Sequence, residues 1–390
     1  MNEKIKQAIL QYSEELTAIR RKLHSEPELS WEEYNTSAFV SQYLDDLGIE
    51  NRKTNPTGVI GEIKGSKPGK TVALRADMDA LSVEELNTNL PYASKSIGKM
   101  HACGHDAHTA MLLIAAKALN DISEELSGNV RLIFQPAEEV ATGAKEMVKQ
   151  GAVDGVDDVF GMHIWSQMPT NKVSCTPGPS FASADIFNVK FKGRGGHGAM
   201  PQDCIDAAIV ASSFVMNVQS VVSRTIDPQK PAVLTVGKMT VGTRFNVIAE
   251  NAVIEGTVRC FDPEVRNHIE KQLQVYAEQV AATYGASAEV EYIRGTQAVI
   301  NGEESAKLVQ KVAVEAFGEE ILYHEKPTMG GEDFSFYLDE VPGSFALVGA
   351  GNPEKDTQWA HHHGKFNIDE DALVTGAELY AQYAWAFLNK

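Results

Sequence analysis

Apolar residues recur at helical spacing from the start of the chain: Ile5, Ile9, Tyr12, Leu16, Ile19 and Leu23, with charges between them. The period predicts one amphipathic helix over 1–24, ending near His24-Ser25-Glu26-Pro27. His24 reads as a surface histidine of its last turn. A second helix is expected over 31–47, stopping at Gly48. Continuous apolar runs at 71–74, 129–134 and 158–162 are short and flanked by polar residues, so they predict buried strands. Between the first two lies Met100-His101-Ala102-Cys103-Gly104-His105-Asp106-Ala107-His108-Thr109, followed at once by an apolar run at 111–116. This stretch predicts a Gly-containing loop opening a helix near Asp106.

The pattern changes over 184–294. Segment 185–192 alternates as a strand, 203–225 reads as a helix, 232–239 and 252–261 as strands, 263–284 as a helix and 286–294 as a strand. The order β-α-β-β-α-β is that of a ferredoxin-like sandwich. It suggests a separate domain inserted in the first. The last hundred residues resume the earlier pattern: a Gly turn at 328–331 opening a helix with Glu332 and Asp333 in its first turn, a strand at 344–348, and a final helix from about Asp369. Helix-dipole stabilisation accounts for those two acids. The fold class is therefore α/β, a sheet flanked by helices and interrupted by an α+β insert.

At 390 residues the chain calls for two domains. A net charge of −18 argues against nucleic acid or an anionic membrane as partner. No apolar run approaches a membrane span and 1–24 lacks a signal-peptide pattern. Cys103, Cys175, Cys204 and Cys260 are scattered, so a reduced cytosolic protein is expected, with Cys103 a ligand rather than half of a disulfide.

The candidate chemistry sits at the ends of the apolar runs. Segment 71–74 leads into Arg75-Ala76-Asp77-Met78-Asp79, 129–134 into Gln135-Pro136-Ala137-Glu138-Glu139, and 158–162 into His163. Carboxylates at the end of an apolar strand are costly unless paired, solvated or bound to something. In open α/β sheets ligands bind beyond the carboxyl ends of strands. With Cys103 and His105 these groups suit a borderline-soft divalent metal, and His361-His362-His363 adds a further donor. Gly193, Gly195 and Gly198 formally match a dinucleotide fingerprint, but Pro201 intervenes before the helix and the β-α-β-α alternation is missing. A Gly-rich loop presenting His197 to a ligand fits better. Arg244, Asn246 and Arg259 are the other polar candidates of the insert, and Trp165, Phe181, Phe334, Phe336 and Tyr337 are aromatic candidates for a pocket.

As a set these motifs resemble the aminoacylase/carboxypeptidase family of co-catalytic metallopeptidases, in its amidohydrolase branch. The resemblance runs from Arg21-Lys22-Leu23-His24 and Pro27-Glu28-Leu29 through Arg75–Leu81, His101–Asp106 and Phe134–Glu139. It continues through Gly195–Pro201, Asn246-Val247-Ile248 and Gly330–Phe334, and ends at His362-His363-Gly364-Lys365-Phe366. It implies a catalytic domain over 1–183 and 295–390 with a central, mostly parallel sheet, and an inserted lid and dimerisation domain over 184–294. It implies two divalent ions per subunit, held by Cys103, His105, Glu139, His163 and His362, with Cys103 shared. Zinc, manganese, cobalt and nickel all suit such ligands.

By the same resemblance Glu138 is the general base and acid, Asp77 supports the metal site, and His197 stabilises the oxyanion, often from a neighbouring subunit's lid. Asn246 matches a lid residue that contacts substrate, and with Arg259 and Gly330 added from the residues themselves it makes up the expected substrate-binding set. Arg75 stands where other branches carry His, Gln202 where many relatives have His, and Gly364 where Pro is common, which leaves His362 and His363 in competition. The implied reaction is metal-dependent hydrolysis of N-acyl amino acids to a carboxylic acid and a free amino acid, in a homodimer or homotetramer. A dipeptidase or carboxypeptidase would use the same site.

Overall fold

The computed structural model describes residues 1–389. The chain falls into two compact units. The first comprises Met1–Ser180, Ile300–Lys326 and the chain from Asp333 onward, and the second Phe181–Val299 and Pro327–Glu332. In chain order the main strands are β1 (Glu50–Lys53), β2 (Val59–Lys64), β3 (Lys67–Asp77), β4 (Ser127–Gln135), β5 (Asp158–Pro169), β6 (Val173–Ser174), β7 (Ser183–Lys192), β8 (Ala232–Val241), β9 (Asn251–Cys260), β10 (Ser287–Thr296) and β11 (Gly343–Gly351).

The first unit is built on a seven-stranded sheet of order β1-β2-β4-β3-β5-β11-β6. Its centre is parallel, β3 lying between β4 and β5 with β11 beyond. The edges are antiparallel. Register puts Asp77 opposite Gln135 and Arg75 opposite Gly161. Asp77, the end of β4 and His163 are therefore level at one edge of the sheet. β5 continues to Pro169, so His163 lies within a strand rather than after one.

Helices cover the sheet: α1 (Glu3–Gln11), α2 (Ser13–Ser25), α3 (Tyr34–Asp46), α4 (His105–Asn120), α5 (Gly143–Lys149) and, after the insert, Glu303–Phe317 and Ala372–Leu388. α4 is apolar almost all round, as a helix enclosed on every side must be, and it packs against α2, β3 and the C-terminal helix. Its entry needs Gly104, which has φ +99, and a Cβ there would lie 2.3 Å from Ile164 Cγ2.

The second unit has a four-stranded antiparallel sheet of order β8-β9-β7-β10. With helices α6 (Ala207–Thr225) and α7 (Pro263–Thr283), the chain order is β-α-β-β-α-β. Asp262 caps α7 by accepting from Glu264 N at 2.7 Å, with Pro263 in the first turn. Among the described residues no helix is long and apolar enough to cross a membrane.

Several local expectations change. The N-terminal helix is two helices broken at Tyr12, where Ser13 Oγ bonds Leu10 O at 2.8 Å and competes with the helical ladder. The 203–225 helix starts at Ala207, because Asp206 caps it through Ala208 N and 201–203 form a separate turn. His24 is buried, not at the surface: its Nδ1 lies 2.8 Å from Asp106 Oδ2 beside the buried Arg20. The helix after the Gly turn spans only Ser335–Leu338. Asp333 precedes it, fully buried, and accepts from Arg75 at 3.1 Å, Gln135 Nε2 at 2.9 Å and Ala144 N at 2.9 Å. An ion pair within the core, not a helix dipole, accounts for Asp333.

Candidate metal centre

The loop before α4, the turn after β4, β5 and the loop at 361–363 converge within the first unit. Cys103, His105 and His163 form one group whose donor atoms all lie within 4.8 Å of one another. Cys103, Glu139 and His362 form another, and His105, Glu138 and Glu139 a third. The thiolate is common to the first two. Cys103 Sγ is 3.4 Å from His163 Nε2, and His362 Nε2 is 3.5 Å from Glu139 Oε2. His363 instead stacks on Trp359 at 4.7 Å. His361 packs on Trp165 at 4.6 Å, with Nδ1 3.9 Å from Cys103 Sγ.

His163 and His105 are each oriented by their other nitrogen, the usual arrangement for metal-binding histidines. His163 Nδ1 donates to Ile164 O at 2.6 Å, which leaves Nε2 toward Cys103. His105 Nδ1 donates to Asp79 Oδ1 at 3.3 Å. His105 Nε2 and Glu139 Oε1 are buried without a hydrogen-bond partner. Such orphaned atoms are costly in a protein interior, and a cation between them satisfies both. Burial pushes the Cys103 thiol well above its ordinary range and Glu139 up to about 7. A bound divalent ion reverses both, since it favours thiolate and carboxylate. Sulfur, imidazole and carboxylate donors together fit the pair of ions expected from the sequence.

Asp77 sits in the wall of this centre. Its Oδ1 takes a 2.6 Å bond from His108 Nδ1 and its Oδ2 a 2.7 Å bond from Arg75. His108 Nε2 accepts from Ile164 N at 2.8 Å, so both its nitrogens are engaged and it is not a free ligand. Sequence reasoning passed over Asp79 and His108 as partners of the ligands. The signal for Asp79 was present in Asp77-Met78-Asp79, because alternate residues of an extended segment share a face.

The polar candidates His197, Asn246, Arg259 and Gly330 lie in the second unit. His197 pairs with Val247 in a two-stranded ribbon, and Gly198 N bonds Asn246 O at 3.0 Å, so His197 and Asn246 are neighbours. Ala199 N donates to His197 Nδ1 at 3.0 Å, which places the ring proton on Nε2. Arg259, on β9, lies against Gly331. It is half-buried, its side chain makes no hydrogen bond among the described residues, and burial lowers its pKa against the opposing pull of Asp185. Gly330 N bonds Thr328 Oγ1 at 3.1 Å. Phe334 and Tyr337 are buried, Phe334 packing on Phe345 at 4.8 Å, so both belong to the core rather than to a pocket.

Residues 73–386 match the sequence model of Peptidase family M20/M25/M40. The chain belongs to this family. It is 43% identical over 376 residues to the N-acetyl-L-cysteine deacetylase of Bacillus subtilis, covering 96% of this chain and 88% of that one. It is 40% identical over 393 residues to thermostable carboxypeptidase 1 of Saccharolobus solfataricus, covering 100% and 99%. The crystal structure of a dinuclear metal-binding peptidase of family M20 from Bacillus subtilis superposes with a TM-score of 0.87 at 36% identity, covering 97% of this chain and 99% of that one. The expected α/β fold and the expected family both hold, and the chain is an M20-type hydrolase.

Proposed function

We propose that this protein is a two-metal amidohydrolase that cleaves N-acyl amino acids to a carboxylic acid and a free amino acid. The observation that carries the reading is a pair of three-residue donor sets sharing Cys103, with the Glu138 carboxylate 4.0 Å from His105 beside them. Cys103, His105, Glu139, His163 and His362 would hold the ions, whether zinc, manganese, cobalt or nickel. A pair of bound divalent ions supplies a Lewis acid for the scissile carbonyl and lowers the pKa of the attacking water.

The chain's own groups do the rest. Glu138 accepts the proton of the water and returns it to the departing nitrogen. Asp77, fixed by Arg75 and His108, keeps negative charge in the wall of the centre. His197 offers its Nε2 proton to the oxyanion, and we assign it to a dimer in which one subunit's second unit serves its partner. Arg259 pairs with the carboxylate of the amino-acid portion, aided by Asn246 and the Gly330 turn. A guanidinium that feels Asp185 only at a distance and makes no side-chain hydrogen bond among the described residues is suited to a bidentate carboxylate. Ile186, Ile293, Ile209 and Met216 are exposed apolar side chains of the second unit and support a homodimer or homotetramer through it.

The similarity to a carboxypeptidase keeps one alternative in view. A peptide substrate presents the same carboxylate and the same amide, and differs only in carrying an amino group on the acyl side. Turnover of metal-loaded protein on paired substrates, N-acetyl amino acids against the matching dipeptides, decides between them. Release of amino acid from the N-acyl series supports the proposal. Release from dipeptides alone assigns a peptidase.

A further inference from the structure

Two buried carboxylates outside the donor sets grip the turn that carries Glu138 and Glu139. Three consecutive backbone N–H groups of this turn point at them. Ala137 N donates to Glu33 Oε1 at 2.9 Å, Glu138 N to Asp79 Oδ1 at 3.0 Å and Glu139 N to Asp79 Oδ2 at 3.1 Å. Both acids are buried. Ala137 is held at φ +55, a left-handed conformation that is unfavourable for a residue with a Cβ. The turn therefore does not take this shape from its own preference.

Each carboxylate is itself fixed. Glu33 Oε1 also accepts from Trp31 N at 3.0 Å and its Oε2 from Thr57 Oγ1 at 2.6 Å. Asp79 Oδ2 accepts from Ser30 Oγ at 2.6 Å, and Asp79 Oδ1 takes the 3.3 Å bond from His105 Nδ1. One aspartate thus sets the ring of His105 and the backbone of both glutamates. Neighbouring residues send their side chains in different directions, so the division of Glu138 and Glu139 between two tasks depends on this backbone shape.

The geometry points to Asp79 and Glu33 as positioning residues. Asp79 aligns His105 and Glu139 for the metal, and Glu33 locks Ala137 so that Glu138 faces the reacting water. The second half of this assignment rests on the proposed amidohydrolase reaction, and the first half on metal binding alone. Burial pushes the Glu33 carboxyl up to about 7. Glutamine keeps an acceptor at Oε1 for Ala137 N and Trp31 N, which makes it the natural rescue.

The test compares Asp79→Asn, Glu33→Ala, Glu33→Asp and Glu33→Gln in the full chain. The readouts are metal affinity by chelator competition, the absorption spectrum of the cobalt(II)-loaded protein, and kcat and KM on the best substrate of the unaltered enzyme. Asparagine is isosteric but keeps only one acceptor oxygen. It retains His105 and Glu138 N on that oxygen and releases Glu139 N. Asp79→Asn therefore weakens metal binding by about 10–100-fold and alters the cobalt spectrum. Glu33→Ala lowers kcat about tenfold or more with KM and metal affinity little changed, the signature of a loss felt in the transition state. Glu33→Asp, with its acceptor drawn back by one methylene, falls likewise and stands in if the alanine variant does not fold. Glu33→Gln restores most of kcat. Unaltered metal affinity and cobalt spectrum in Asp79→Asn overturn the first assignment. Unaltered kcat in folded Glu33→Asp, or a Glu33→Gln variant as slow as Glu33→Ala, overturns the second. If the unaltered protein hydrolyses no amide, the functional proposal fails, and the affinity and spectrum still judge Asp79.

Discussion

His105 Nε2 and Glu139 Oε1 lie 3.8 Å apart, both buried and neither with a hydrogen-bond partner. They are too far apart to bond each other well, and a divalent ion between them removes both penalties. Metal binding is then stabilising. At a free concentration 100-fold above Kd it contributes about 2.7 kcal/mol to the folded state. Calorimetry of metal-stripped protein should show the unfolding transition rise by several degrees on adding zinc or manganese, and fall again with chelator. No shift despite measured binding would argue against sites formed on folding.

Glu138 is assigned to proton transfer and not to holding the metal. Glu138→Gln should keep its two ions per chain and lose about 100- to 10,000-fold in kcat. Elemental analysis and steady-state kinetics on the same sample separate the two roles. A metal-replete variant with full turnover would remove Glu138 from the mechanism.

Arg259 is assigned to the substrate carboxylate. Arg259→Lys keeps the charge but loses the planar fork, and should raise KM for an N-acyl amino acid about tenfold, as for loss of a hydrogen bond to a charged group. The corresponding amino acid amide, which has no carboxylate, should be a poor substrate for unaltered protein and variant alike. Equal KM values for acid and amide would contradict the assignment.

Asp333 distinguishes two explanations by magnitude. An acid that only complements a helix dipole contributes about 0.3–1 kcal/mol. One partner removed from a buried ion pair costs about 3–5 kcal/mol. Asp333→Ala leaves Arg75 without one of its carboxylates and should fall in the larger range, read from the midpoint of denaturant unfolding.

The residues proposed for the metal centre were legible because they cluster at the ends of apolar runs. Asp77, Glu138 and His163 each follow such a run, and Cys103 and His105 share one loop. The β-α-β-β-α-β order of the second unit was legible from periodicity alone. What escaped was whatever depends on distant partners. His24 looked like a surface residue because nothing in 20–28 reveals that Asp106 and Glu85 enclose it. Glu33 sits in an unremarkable acidic stretch, and only its bond to Ala137, 104 residues away, gives it a task. Asp333 resembled a helix-start acid until Arg75 and Gln135 met it in the core.

The most direct test of a two-metal amidohydrolase is a rate titration. Metal-stripped protein is supplied with zinc, manganese or cobalt in fractional equivalents, and release of amino acid from an N-acetyl amino acid is followed. The account predicts no turnover without metal and a rate that rises to a break at two equivalents per chain. Full turnover by stripped protein, or a break at one equivalent with no further gain, would contradict it.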